Sequence, residues 1–321
     1  MIKVGIIGYG NLGQGVERAI LKQDDMEVFG VFTRRPKEGV KTLGATAYNM
    51  DELMNYKEDI DVLVHCGSSE FDLRDQTPEL VKYFNIVNSF DMHALIGEHI
   101  DEVSKNAADN KKSALVSVGW DPGIFSMQKT IFDAILVDGT TQSFWGHGKS
   151  QGHSNVASKV DGVVMARSYS VPNVDNIEKF KNHEGIDVST NHYKDVYVVA
   201  KDGADTKQIE ADIMNIEHYF KGSSTNIYFI TQEEMDRDHN TWHQGGEVIR
   251  SAKTSDNIKH TLDFKLSLDS NPEFTSSVLV AYTRALYRMH LRQEYGVFTA
   301  LDIRPRDMSS KSYEQLIKEM L

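Results

Sequence analysis

Ile2-Lys3-Val4-Gly5-Ile6-Ile7-Gly8-Tyr9-Gly10-Asn11-Leu12-Gly13 opens the chain and decides its first fold element. An apolar run enters the pattern Gly8-x-Gly10-x-x-Gly13, and a helix carrying Val16, Ile20 and Leu21 is expected to follow. Glycines at this spacing allow a tight turn, close backbone approach to a pyrophosphate and close seating of the helix on the sheet. The helix N-terminus adds free N–H groups and the positive end of its dipole. Gly8, Tyr9, Gly10, Asn11, Leu12 and Gly13 are therefore candidate cofactor contacts. A glycine turn that binds no phosphate is the competing reading, and the strand before and helix after argue against it.

The second strand, expected over 27–33, should end near the adenosine ribose. An NAD site usually places an Asp or Glu about twenty residues past the glycines to accept from the ribose 2′-OH. This chain has Thr33, Arg34 and Arg35 there. A hydroxyl and two guanidiniums suit a 2′-phosphate, so the expected cofactor is NADP(H). A solvated basic loop is the alternative.

Further strands are expected at 60–66, 86–88 and 114–118, alternating with helices at 51–57, 94–106 and from Thr77-Pro78 to Phe84. This alternation predicts a doubly wound parallel sheet of Rossmann type. Ligands bind at the carboxyl ends of such strands. His65, Cys66, Gly67, Ser68 and Ser69 fall at one such end. Phe90, Asp91 and Met92 fall at another, and Val118, Gly119, Trp120, Asp121 and Pro122 at a third. All are expected around the cofactor.

From about residue 140 the pattern changes. Strands are expected at 163–171, 191–200, 225–231 and 259–269, with a helix near 206–216. In the last strand Leu262, Phe264, Leu266 and Leu268 share one face, and Thr261, Asp263, Lys265 and Ser267 the other. The expectation is a second α+β domain with a mixed or antiparallel sheet over 122–271. The first domain would span 1–121 and regain the chain at about 272–321, where Val278, Leu279, Tyr282, Leu286 and Met289 lie at helical spacing over 273–292.

The chain has 321 residues, 40% hydrophobic and 26% charged, with a net charge of −12. That balance argues against nucleic-acid or anionic-membrane partners, which need a basic face. The single cysteine, Cys66, excludes a disulfide framework and CxxC motifs. No apolar run reaches membrane-spanning length, and Met1 leads straight into the first strand, so a cytoplasmic protein is expected. His147 and His153 lie six apart in a glycine-rich loop expected over 143–153, without the spacing of a metal site, so no metal is expected. No GxSxG elbow supports nucleophilic catalysis.

Asp91 and Asp121 stand at sheet-end turns where a nicotinamide ring would lie. Carboxylates there could bind a substrate ammonium and steer its Cα–H toward the ring, which is positioning and electrostatics rather than covalent catalysis. Asp121 in Asp-Pro-Gly is equally explained by turn chemistry. Trp120 and Trp145 could wall a pocket.

Taken together, Gly8-Tyr-Gly-Asn-Leu-Gly13, Phe32-Thr-Arg-Arg35, Ser89-Phe-Asp91, Ser117-Val-Gly-Trp-Asp-Pro-Gly123, Phe144-Trp-Gly146, Ser150-Gln-Gly-His-Ser154 and Ser270-Asn-Pro-Glu-Phe-Thr275 resemble the meso-diaminopimelate dehydrogenase family over nearly the whole chain. The resemblance implies NADP-dependent oxidative deamination at the D-centre of meso-2,6-diaminopimelate. Products would be L-2-amino-6-oxopimelate, ammonia and NADPH, and the reverse reaction would serve lysine and peptidoglycan synthesis. It also implies a homodimer. Asp91 and Asp121 resemble the carboxylates that hold the reactive amino group, with Trp120, Trp145, Gln151, Gly152 and Asn271 around the substrate.

Near the distal L-carboxylate the family has a threonine, an arginine and a histidine. This chain has Ser170, Lys194 and Gln244, and His243 would replace the histidine if the loop slips by one residue. Lysine keeps the charge but loses the planar fork that grips a carboxylate in two bonds. Asp91, Asp121 and bound water are all open as proton acceptor. Competing readings are a D-amino-acid dehydrogenase for a shorter substrate and a non-catalytic NADP-binding sensor. A sugar or inositol dehydrogenase would carry a Lys-Pro pair where this chain has Trp120-Asp121-Pro122.

Overall fold

The structure, a computed structural model, describes residues 1–217 and 219–321. It divides into two compact units, Met1–Met127 with Pro272–Leu321, and Gln128–Asn271.

In the first unit the chain runs through β1 (Ile2–Ile7), α1 (Asn11–Ile20), β2 (Met26–Thr33), β3 (Ala47–Asn49), β4 (Val62–His65), α2 (Arg74–Leu80), β5 (Ile86–Asn88), α3 (Ile96–Ala107) and β6 (Ser113–Leu115). A helix, α4 (Ile124–Ile135), leads out of it. The middle unit holds β7 (Gly139–Trp145), β8 (Gly148–Ser150), α5 (Gln151–Ala157), β9 (Val163–Pro172), α6 (Val174–Lys181), β10 (His192–Ala200), α7 (Thr206–Met214), β11 (Thr225–Phe229), α8 (Gln232–Asp238), β12 (Gln244–Ser255) and β13 (Ile258–Leu268). The chain returns through α9 (Asn271–Leu291) and adds β14 (Gly296–Phe298) to the first sheet.

The first sheet has seven strands in the order β14-β6-β5-β4-β1-β2-β3, all parallel, so the doubly wound fold read from the sequence is what the chain adopts. One core, with Val4, Ile6, Val16, Ile20, Leu279, Tyr282 and Leu286, holds α1 and α9 on one face. A second, with Leu63, Phe84, Ile86, Val103 and Ala107, holds the other face. Each Val, Leu, Ile or Phe among them removed from water contributes roughly 1.5–3 kcal/mol. Register aligns Ile7 with Phe32 and His65, and His65 with Asn88, which brings the loops after four strands to one edge. The order reverses at β1/β4, the switch point where ligands bind.

Several local expectations are corrected. Leu21 does not join the buried stripe of α1; it is the exposed C-cap. Thr77 is no N-cap. The helical path begins at Ser68, whose hydroxyl accepts from the Phe71 amide, and Pro78 lies inside α2. Thr77 is buried and accepts a bond from Asn88 Nδ2 at 3.1 Å. The widened turn Ser69–Leu73 just ahead of Pro78 replaces the tight start the Thr-Pro pair suggested.

The second unit holds two sheets where the sequence suggested one. Strands β11-β10-β9-β8 form a mixed sheet and β13-β12-β7 an antiparallel one. The alternation in β13 is as expected, with Thr261, Asp263, Lys265 and Ser267 exposed and Leu262, Phe264 and Leu266 half-buried. The expected loop over 143–153 is instead the end of β7, all of β8 and the start of α5. Its glycines serve close packing: a Cβ on Gly146 would lie 2.1 Å from Ser170 O.

Candidate active site

Gly8 leaves β1 at φ +83, and its amide donates to Phe32 O at 2.9 Å. A Cβ on Gly13 would lie 2.1 Å from Gly8 O, so only glycine lets α1 pack this close behind the turn. Gly10 has open space in front of it and caps α1 without a side-chain acceptor. The first N–H groups of α1 are thus left for an anion.

Beside this loop is a cavity of about 300 Å³ lined by Gly8, Tyr9, Gly10, Thr33, Arg34, Arg35, His65, Cys66, Gly67 and Ser68 of the expected cofactor residues. Met50, Asp72 and Gln76 also line it and were missed, because each reaches the cavity only through the tertiary fold. Arg35 Nη2 donates to Tyr9 O at 2.6 Å, and its amide to Thr33 Oγ1 at 3.1 Å. Arg34 pairs with Asp72 at 2.8 Å while most of its side chain is exposed. Burial pushes the Asp72 carboxyl up, but bonds from the Ser68 amide and hydroxyl together with Arg34 outweigh it and hold the carboxyl below its usual range. His65 is buried, and burial pushes it down to about 4 against the pull of Asp72 and Gln76. Among the described residues its Nδ1 has no partner. Burial likewise raises the Cys66 thiol, which disfavours its thiolate. The donor set of two guanidiniums, a hydroxyl and helix amides fits a 2′-phosphorylated dinucleotide. Among the described residues the cavity's one carboxylate, Asp72, is already committed to Arg34 and Ser68.

Asp91 and Asp121 stand beyond the carboxyl ends of the neighbouring strands β5 and β6. Ser69 Oγ donates to Asp91 Oδ1, and Phe90, stacked on His99 at 4.2 Å, is tied by its amide to Asn88 Oδ1. Asp121 lies in a turn closed by Gly119 N to Pro122 O at 2.8 Å. The turn needs Gly123 at φ +132, where a Cβ would lie 2.0 Å from Gly119 O. The Val118 amide donates to Asn88 O, joining this turn to the end of β5. Trp120 sits edge-on to Phe125 at 5.2 Å. Met92 follows at the start of a short helical turn, accepting from the Leu95 amide.

In the second unit Ser170 and Lys194 are direct cross-strand partners, and Gly148 faces Ser170 from the other side. Gln244 Oε1 packs on Gly148 so closely that a Cβ there would lie 1.8 Å away. Lys194 Nζ donates to Ser223 Oγ at 2.7 Å, and burial lowers its pKa. His153 packs edge-on against Tyr219 and Phe220, and burial with Lys194 nearby pushes it down to about 4. Ser223 was not anticipated, and His153, read in the sequence only as a histidine without metal spacing and as part of the Ser150–Ser154 motif, was not expected beside Lys194. Gln151 and Gly152 are the exposed first residues of α5. The Trp145 amide donates to His192 Nε2 at 2.7 Å, with the two rings stacked at 4.9 Å. The Asn271 amide donates to Trp242 O. His243 stacks on His147 at 5.7 Å, and His147 stacks on Tyr169, which lies on the face of β9 opposite Ser170.

Among the described residues no group of three or more His, Cys, Asp or Glu side chains could hold a metal ion, and no helix is long and apolar enough to cross a membrane.

A seven-stranded parallel sheet with this glycine loop and donor set defines a nicotinamide-dinucleotide-dependent dehydrogenase. Residues 119–270 match the diaminopimelic acid dehydrogenase C-terminal domain family. The chain is 43% identical to the meso-diaminopimelate D-dehydrogenase of Lysinibacillus sphaericus, over 100% of this chain and 99% of that one. Its structure is similar to that of the Corynebacterium glutamicum diaminopimelate dehydrogenase in complex with DAP, with a TM-score of 0.94, 35% identity and coverage of 100% and 99%. It is also similar to an engineered D-amino acid dehydrogenase bound to NADP+, with a TM-score of 0.90, 35% identity and the same coverage. The chain belongs to the meso-diaminopimelate D-dehydrogenase family.

Proposed function

We propose that this protein oxidatively deaminates meso-2,6-diaminopimelate at its D-centre with NADP+ and water, giving L-2-amino-6-oxopimelate, ammonia and NADPH. The observation that carries the reading is the pair Asp91 and Asp121 at the ends of adjacent strands, in the unit that also holds the glycine loop. When bound, the cofactor accepts the hydride lost from the substrate carbon. The carboxylates hold the substrate ammonium and fix the Cα–H, so the gain comes from orientation and from charge placed before the reaction begins. Ser69 keeps Asp91 in place through its hydroxyl. Thr33, Arg34 and Arg35 would hold the 2′-phosphate. By likeness to the family, Trp120 in the first unit and Trp145, Gln151, Gly152 and Asn271 in the second are assigned to the substrate, and Ser170, Lys194 and Gln244 to its distal end.

A homodimer accords with the half-buried apolar row Leu262, Phe264 and Leu266 on β13, which a second copy would cover. Absorbance at 340 nm with meso-diaminopimelate and NADP+ tests the reading directly. D-Lysine or D-alanine oxidised as well as diaminopimelate would favour the shorter-substrate dehydrogenase, and no NADPH with any of the three would favour a binding protein.

A further inference from the structure

The least expected charge in the second unit is Lys149. It is 2% exposed, and among the described residues no carboxylate pairs with it. A buried ammonium without a counter-ion is costly to folding, so the charge of Lys149 is not explained by stability. Its Nζ donates to His239 O at 3.0 Å and lies 4.0 Å from the Trp242 ring centroid, a cation–π contact. Its backbone amide donates to His243 O at 3.3 Å. All three partners belong to the segment 239–243, which joins α8 to β12. Burial, with Arg167 acting the same way, pushes the ammonium down to about 8.

That segment delivers two elements of the proposed substrate site. Gln244, the first residue of β12, packs its Oε1 on Gly148, the neighbour of Lys149. Trp242 O accepts from the Asn271 amide, and Trp242 bridges Ser270. Lys149 itself shares the β9 face of Tyr169, away from Ser170, so it does not reach the Ser170–Lys194 face. We propose that Lys149 is a positioning residue for substrate: it tethers the 239–243 segment to β8 and thereby sets Gln244 and Asn271. The inference rests on the proposed substrate site. It adds a residue that touches none of that site's ligands.

Lys149→Met keeps the stem and removes the charge, and Lys149→Arg keeps the charge and its seat over the indole. With full-length protein, Lys149→Met should raise KM for meso-diaminopimelate about tenfold, leave KM for NADP+ within about twofold, and keep Tm at or above that of the parent. Amide hydrogen exchange over 239–245 should speed up in Lys149→Met and be largely restored in Lys149→Arg. Unchanged exchange over 239–245 overturns the proposal, as does a joint rise of both KM values with a fall in Tm. If the parent protein fails to oxidise diaminopimelate, the functional reading fails by itself, and the exchange comparison still decides whether Lys149 holds the segment.

Discussion

Ser69 and Asp91 exchange two hydrogen bonds: the serine hydroxyl donates to Asp91 Oδ1 at 2.5 Å, and the Asp91 amide donates to the serine Oγ at 3.1 Å. The pair locks the loop after β4 to the loop after β5, so the carboxylate proposed to grip the amine is oriented before substrate arrives. Asp91→Asn keeps the shape and removes the charge. It should lower kcat/KM for meso-diaminopimelate by about a hundredfold, the loss of one charge-assisted bond plus misorientation. Ser69→Ala should cost less, about five- to tenfold. Steady-state rates with calorimetric NADP+ titration check both, and an Asp91→Asn variant that loses NADP+ affinity instead would reassign the residue to the cofactor.

The two arginines after β2 should separate by cofactor. Arg34 is mostly exposed and held by Asp72, whereas Arg35 bonds the carbonyl of Tyr9 inside the glycine loop. Arg34→Ala should raise KM for NADP+ about tenfold and leave KM for NAD+ nearly unchanged, because the proposed phosphate contact is lost and the Asp72 pair broken with it is not one a bare 2′-OH depends on. Arg35→Ala should weaken both cofactors, since it also loosens the loop that both share. Equal effects of Arg34→Ala on the two cofactors would remove that guanidinium from the 2′-phosphate.

What could be read in the sequence was local. The glycine loop, the parallel strands and the alternation in β13 each depend on neighbours a few residues apart, and the structure has them. Strand β12 escaped because charges interrupt its apolar pattern. Glu247 is buried between Lys181 at 2.8 Å and Lys265 at 2.6 Å, and Arg250 is buried against Asp133 and the carbonyls of Leu136 and Val137. With β12 and β7 both unread, β13 had no partner strand of its own, and two sheets merged into one expectation. The Lys194–Ser223 bond and the Arg34–Asp72 pair join distant stretches of chain, and no spacing in the sequence announces either.

Lys194 gives the test of substrate length. Its ammonium is lowered by burial and anchored to Ser223, beside Ser170. Lys194→Met should raise KM for meso-diaminopimelate tenfold or more, by about the worth of one charge-assisted bond, and leave D-alanine kinetics unaltered. Lys194→Arg, which offers a two-pronged grip on a carboxylate, should lower KM for diaminopimelate severalfold. Parallel changes with both substrates would mean that Lys194 shapes the protein rather than reading the distal end.

His99 connects the fold to pH. The ring is 3% exposed and stacked on Phe90, and among the described residues neither nitrogen has a partner. Burial, with Arg74 acting in the same direction, pushes it from 6.5 down to about 4. Unfolded chain takes up this proton as pH falls below about 6.5, whereas the native ring does not until about 4. The unfolded state therefore binds more protons in that window, and stability drops as the solution is acidified through it. At pH 5 the penalty is about 2 kcal/mol, and above pH 7.5 it vanishes. His99→Phe keeps the stack on Phe90 and removes the proton site. Urea melts of the variant and the parent should show a gain at pH 5 that exceeds the difference at pH 8 by about this amount. An equal difference at the two pH values would mean that packing, and not protonation, distinguishes the rings.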